Sequence, residues 1–214
     1  MKDPESVIRL IHDAFEKNEY PGDPYLQGSS EGCEPFDEVG PFQGKTDWTR
    51  LEAEFLDAHA DALSFFSQEG FRFFLPAYLA ADLRGRLRTA DPLFHLTHGF
   101  SDSSVQIPAK GRTFRKNIGK SAFVNPKRYG ATTFHDYARY RLSSFTREEA
   151  AAIVAYLECR RSDASTSYER ETIDAALDSY WREKAQTAPT AESLRRHLDE
   201  EAEYLDAIRE RDGE

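Results

Sequence analysis

Along much of the chain, apolar residues return every three or four positions, the period of an amphipathic helix. Val7, Leu10, Ile11, Ala14 and Phe15 share one such face, behind Asp3 and Pro4, which suit a helix cap and first position. "YPGDP" (Tyr20 to Pro24) ends that helix, because two prolines and a glycine do not continue it. A loop rich in Gly, Ser and Pro is predicted from there to about Gly44. Leu51, Phe55, Leu56, His59, Ala62, Leu63 and Phe66 form the stripe of one long second helix. Ser67 can cap the next segment, "QEGFRFFLPAYLAADLRG", in which Pro76 predicts a kink or break between Leu75 and Ala77. "DPLFHLTHGF" reads as a short helix ending at Gly99.

Further on, Thr146 and Glu149 make a capping box ahead of Ala150, Ile153, Val154 and Leu157, which places that helix in the middle of the core. After a polar break from Ser162 to Ser167, Ile173, Ala176, Leu177 and Tyr180 share a face, with Trp181 beside them. Leu194, Leu198, Ala202, Leu205 and Ile208 form a narrow stripe on a last helix. The pattern predicts a mainly α fold: a single domain of about six to eight helices over residues 1–186, interrupted by a basic insertion at 103–134. That insertion, with glycines and prolines but no helical stripe, is an irregular loop or a small hairpin. Residues 187–214 then form an outer amphipathic helix, packed on the domain or on a partner.

Charge changes the picture most at the insertion. The chain of 214 residues carries −10 in total. Between Asp102 and Asp136 there are seven basic residues, Lys110, Arg112, Arg115, Lys116, Lys120, Lys127 and Arg128, and no acid, so the remainder carries −17. These seven are the candidate partner-binding residues. They have three uses: contact with phosphate-rich ligands, with Phe114, Phe123 or Tyr129 available for stacking; contact with an acidic protein; or pairing with the acidic remainder of the same chain. The −17 opposes a phosphate backbone, so nucleic acid is not the expected partner. With 15 Phe, 10 Tyr and 2 Trp the chain has the means to build a core. No apolar run approaches the length of a membrane span, and two distant cysteines, Cys33 and Cys159, fit a reducing, cytoplasmic setting.

Three segments in order, "YPGD", "GKTDW" running on to "ALSFFSQEGFRFFLPAYLAADL", and "SFTREEAAAIVAYLE", resemble a bacterial family known as a domain of unknown function. The resemblance covers roughly Val7 to Glu158 and implies a soluble, mainly helical bacterial protein. It brings no activity, so no catalytic residue follows from it.

Candidate chemistry is thin. His95 and His98 stand three apart, a spacing that puts two imidazoles on one helix face, but no third ligand is fixed, and neither a metal nor a cofactor is expected. Ser29, Ser30, Glu31, Cys33, Glu34, Asp37 and Glu38 form an acidic loop, in which anionic neighbours work against a Cys33 thiolate. His135, Asp136, Tyr137, Arg139, Tyr140 and Arg141 are acid–base groups on a predicted helix. The reading from sequence is therefore a cytoplasmic macromolecule-binding or accessory protein rather than an enzyme, with an immunity-type partner of a basic toxin as one concrete case. The alternative is an enzyme built around His95, His98 and the His135–Arg141 element.

Overall fold

A computed structural model describes residues 3–28, 32–109, 111–123 and 131–196, with the backbone alone for Val105, Gln106, Ala109 and Arg115. The chain folds as one mainly α domain. Helix α1 (Pro4–Phe15) begins as its sequence dictates: the Asp3 carboxylate accepts from the Ser6 N–H at 3.0 Å, and Val7, Ile8, Ile11 and Phe15 are buried. Short helices α2 (Glu34–Val39), α3 (Ala53–Ala58) and α4 (Ala62–Phe65) follow. Then come α5 (Gln68–Leu83), α6 (Pro92–Thr97), the strands β1 (Ser103–Ala109) and β2 (Arg112–Gly119), α7 (Phe134–Arg141) and α8 (Arg147–Asp163). Helix α9 (Ser167–Ala176) runs on through a π-helical turn (Leu177–Trp181) into α10 (Arg182–Thr187).

The core is packed around α5, which is buried on nearly every side from Gly70 to Ala81. Helix α1 lies against α5 and α8, and α10 and the π turn cover α8. The capping box forms: Thr146 N–H donates to the Glu149 carboxylate at 2.8 Å, and Ile153 and Leu157 are fully buried behind it. The π turn lets two neighbouring aromatics reach separate backbone carbonyls. Tyr180 donates to Leu142 O at 2.6 Å, and Trp181 Nε1 donates to Leu96 O at 2.9 Å.

Four expectations are corrected. The helices are shorter and more numerous than the six to eight expected. The loop before Gly44 contains α2. The single helix predicted over the Leu51–Phe66 stripe is broken into α3 and α4: His59 leaves helical geometry at φ −123°, ψ 51°, and its carbonyl accepts from the Tyr78 hydroxyl at 3.1 Å, while Asp57 in the last turn of α3 accepts from the N–H groups of Arg88, Thr89 and Ala90 at 2.8–3.1 Å. Of the kink or break expected at Pro76, the break does not occur: α5 continues as helix from Gln68 to Leu83. The positions on both sides of Pro76 are buried, so tertiary packing outweighs the lost donor. The stripe of the predicted last helix falls largely beyond residue 196, outside the described residues; residues 191–196 are helical.

Candidate basic hairpin and the polar centres of the fold

The insertion resolves into a two-stranded antiparallel hairpin in which Ile107 faces Phe114, Val105 faces Lys116 and Ala109 faces Arg112. Gly111, at φ 77°, sits in the two-residue turn, where a side chain is strained. Alternation along the strand puts Ile107, Arg112, Phe114 and Lys116 on one face. At the root, Ser121 O accepts from Phe134 N and Thr132 O from Phe123 N, which closes the base of the insertion. Both strands make their main contacts with each other.

Of the seven predicted cations, Lys110, Lys127 and Arg128 lie outside the described residues, and the Arg115 side chain is not described. Lys120 pairs with Asp102 at 3.0 Å and also reaches Phe100 O at 2.5 Å. It alone, among the three whose side chains are described, realises pairing within the described part of the chain. Arg112 and Lys116 are exposed and make no ion pair among the described residues. Beside them Ile107, Phe114 and Ile118 are 43%, 56% and 58% exposed. Stacking by Phe123 is already used internally, since its ring lies 4.1 Å from that of Phe134.

The histidines and the His135–Arg141 element do not form one site. His95 is half-buried beside Phe71, and desolvation, helped by the nearby Arg141 charge and His98, pushes its pKa down to about 3. Arg141 lies over the Phe71 ring and donates to Leu63 O. His98 packs on Phe94 and Phe134. His135 turns the other way, edge-on to Phe100 and toward Asp136. The helix explains this: residues six apart on α7 point about 120° apart around its axis. Asp136 caps α7 with Thr133, Arg139 lies over the Tyr180 ring, and Tyr140 is exposed. Among the described residues no three His, Cys, Asp or Glu side chains gather as metal ligands. In the acidic loop, Cys33 is an exposed free thiol and Glu34 and Asp37 are exposed on α2; residues 29–31 lie outside the described residues.

Two polar centres escaped the sequence reading. Arg72, the lone charge in the apolar run "GFRFFLPAYLAA", grips Glu149 with Nε at 2.9 Å and Nη2 at 2.8 Å. Nη2 also donates to Asn18 Oδ1 at 3.0 Å, which joins α5, α8 and the end of α1. Glu149 is 1% exposed. The signal was legible in part: an arginine inside a buried helix requires an acid, and the capping-box glutamate was the buried acid available. At the second centre Tyr156 donates to Asp82 at 2.6 Å, with Arg160 Nε 3.4 Å away. Burial raises the Asp82 pKa, while the Tyr156 bond and the Arg160 charge pull it down.

Two cavities of about 570 and 720 Å³ run along α9 and the π turn and share Asp178. Compared with known proteins, the chain matches no family model, no curated protein and no solved structure. No helix among the described residues is long and apolar enough to cross a membrane.

Proposed function

We propose that the chain is a macromolecule-binding accessory protein whose working surface is the apolar and basic face of the β1–β2 hairpin. The observation that carries this reading is the exposure of Ile107, Phe114 and Ile118 next to Arg112 and Lys116, which make no ion pair among the described residues. A lone two-stranded hairpin is marginally stable in water, so an apolar covering surface stabilises it. The partner that fits is a protein presenting carboxylates around an apolar patch. An immunity-type role against a basic toxin would use the acidic body instead, and the hairpin cations favour an acidic partner. Nucleic acid is disfavoured by the −17 carried by the rest of the chain.

A photo-crosslinking phenylalanine analogue at Phe114, placed in the producing cell, tests this. The expected result is a discrete protein adduct, mapped to an acidic surface and lost when Arg112→Ala and Lys116→Ala are added. An adduct indifferent to those substitutions, or none, overturns the reading. Steeply salt-dependent binding to duplex DNA, RNA or anionic vesicles, lost in the same variant, replaces the proposed class of partner.

A further inference from the structure

We infer that the partner segment docks as an extended strand, alternating acidic and apolar, added antiparallel along the outer edge of β2. This rests on the hairpin being a binding surface, and it names the kind of segment bound and how it sits. Pro108 has no N–H, so in β1 it takes a position whose amide faces away from β2. Residues directly opposite in an antiparallel ladder share that orientation, and it recurs every second residue. Thr113, opposite Pro108, therefore turns its N–H and C=O to the outer edge of β2, and Arg115 and Asn117 do the same. The closing pair Ala109–Arg112 around the two-residue turn sets the same phase. Among the described residues no backbone group beyond β1 pairs with these three. The outer edge of β1 is the poorer template, since Pro108 leaves a gap in its row of donors.

The side chains say what the added strand carries. Arg112, Phe114 and Lys116 alternate along one face of β2. In antiparallel addition they fall between the hydrogen-bonded pairs, where facing side chains approach closest. The matching segment presents acid, apolar and acid at alternate positions: carboxylates to Arg112 and Lys116, and an apolar side chain to Phe114. A second copy of β2 does not match. Residues 112–119 hold three cations and no acid, so two such edges laid together set like charges side by side. A partner strand also turns a marginal two-stranded ribbon into a three-stranded sheet with an apolar face.

Amide hydrogen exchange of the full chain, read residue by residue by NMR with and without the capped peptide Thr-Glu-Thr-Phe-Thr-Glu-Thr, tests it. In the free protein the Thr113, Arg115 and Asn117 amides should exchange faster than those of Phe114 and Lys116, which bond to β1. Saturating peptide should slow the three outward amides about tenfold or more. Scrambling the peptide to Glu-Glu-Thr-Thr-Thr-Thr-Phe, or N-methylating its threonines, should each weaken binding about tenfold or more. N-methylation at its glutamates and phenylalanine, whose N–H groups point away from β2, should be tolerated. Arg112→Glu with Lys116→Glu should lose this peptide and bind the one with lysine in place of glutamate. Outward amides already slow in the free chain, no slowing with peptide, or equal loss from the two methylation patterns overturns the inference. Capture of an acidic protein through the Phe114 analogue, with the three amides still exchanging fast in that complex, removes strand addition and leaves the hairpin as the binding surface.

Discussion

Arg72 and Arg112 are chemically the same side chain in opposite circumstances. Arg72 is half-buried at the edge of the core, its fork closed on a carboxylate that is 1% exposed and tied to Asn18. Arg112 stands on an arm among exposed apolar residues and makes no ion pair among the described residues. Removing a carboxylate from the first setting leaves a charge in a poorly solvated place, which is costly. Removing the charge from the second leaves the fold nearly untouched, because water already solvates it. Charge in this molecule therefore divides by surroundings: where it is enclosed it holds helices together, and where it is open it is available to a partner.

The sharpest test of that division is Glu149→Ala, expected to cost about 3–5 kcal/mol by denaturant titration, since Arg72 is left without its acid and α8 without half its cap. Replacing both partners together, Arg72→Met with Glu149→Leu, should cost less than Glu149→Ala alone; an equal or larger loss would mean the pair is not what binds these helices. Leu157→Ala, on the same helix and purely apolar, should cost about 2–5 kcal/mol. A loss under about 1 kcal/mol would move α8 out of the core.

Acid sharpens the comparison next. His95 ordinarily titrates near 6.5, but burial holds it neutral until about pH 3. The unfolded chain takes up its proton first. The stability from neutral His95 is complete above about pH 6.5 and is lost as pH falls toward 3, by up to about 1.4 kcal/mol per pH unit. Urea midpoints at pH 7 and pH 5 should differ less in His95→Gln than in the wild type; identical differences would place His95 in water. The smallest effect belongs to the arm: Arg112→Ala with Lys116→Ala should change stability by no more than about 0.5 kcal/mol. A larger loss would show that these cations pair within the chain after all.

What could be read from sequence was local. The Asp3–Pro4 start of α1 and the Thr146–Glu149 box lie within four residues, so four residues sufficed to see them. The fully buried Ile153 and Leu157 followed from helical period alone. What was missed depends on distance. The apolar stripe breaks at His59, whose carbonyl meets the Tyr78 hydroxyl 19 residues away, and Asp57 serves N–H groups 31–33 residues away, so neither contact has a local signal. Pro76 is tolerated because of what surrounds α5. The π turn has no pattern of its own, and shows only in Tyr180 and Trp181 reaching different carbonyls. Of the candidate chemistry, the charge of the insertion was plain. That Arg112 and Lys116 make no ion pair among the described residues while Lys120 folds back onto Asp102 depends on the fold.

The Glu149 carboxylate also bears on the order in which the chain assembles. One of its oxygens, Oε2, accepts from the Thr146 amide three residues away and from Arg72 77 residues away. The event that starts α8 and the event that docks it onto α5 thus draw on the same atom. A local nucleus formed early leaves Oε2 oriented before Arg72 arrives, so the long-range closure loses less freedom when it forms. The Thr146 amide then opens to exchange with deuterium only when the α5–α8 contact opens, as one cooperative unit rather than as a fraying helix end.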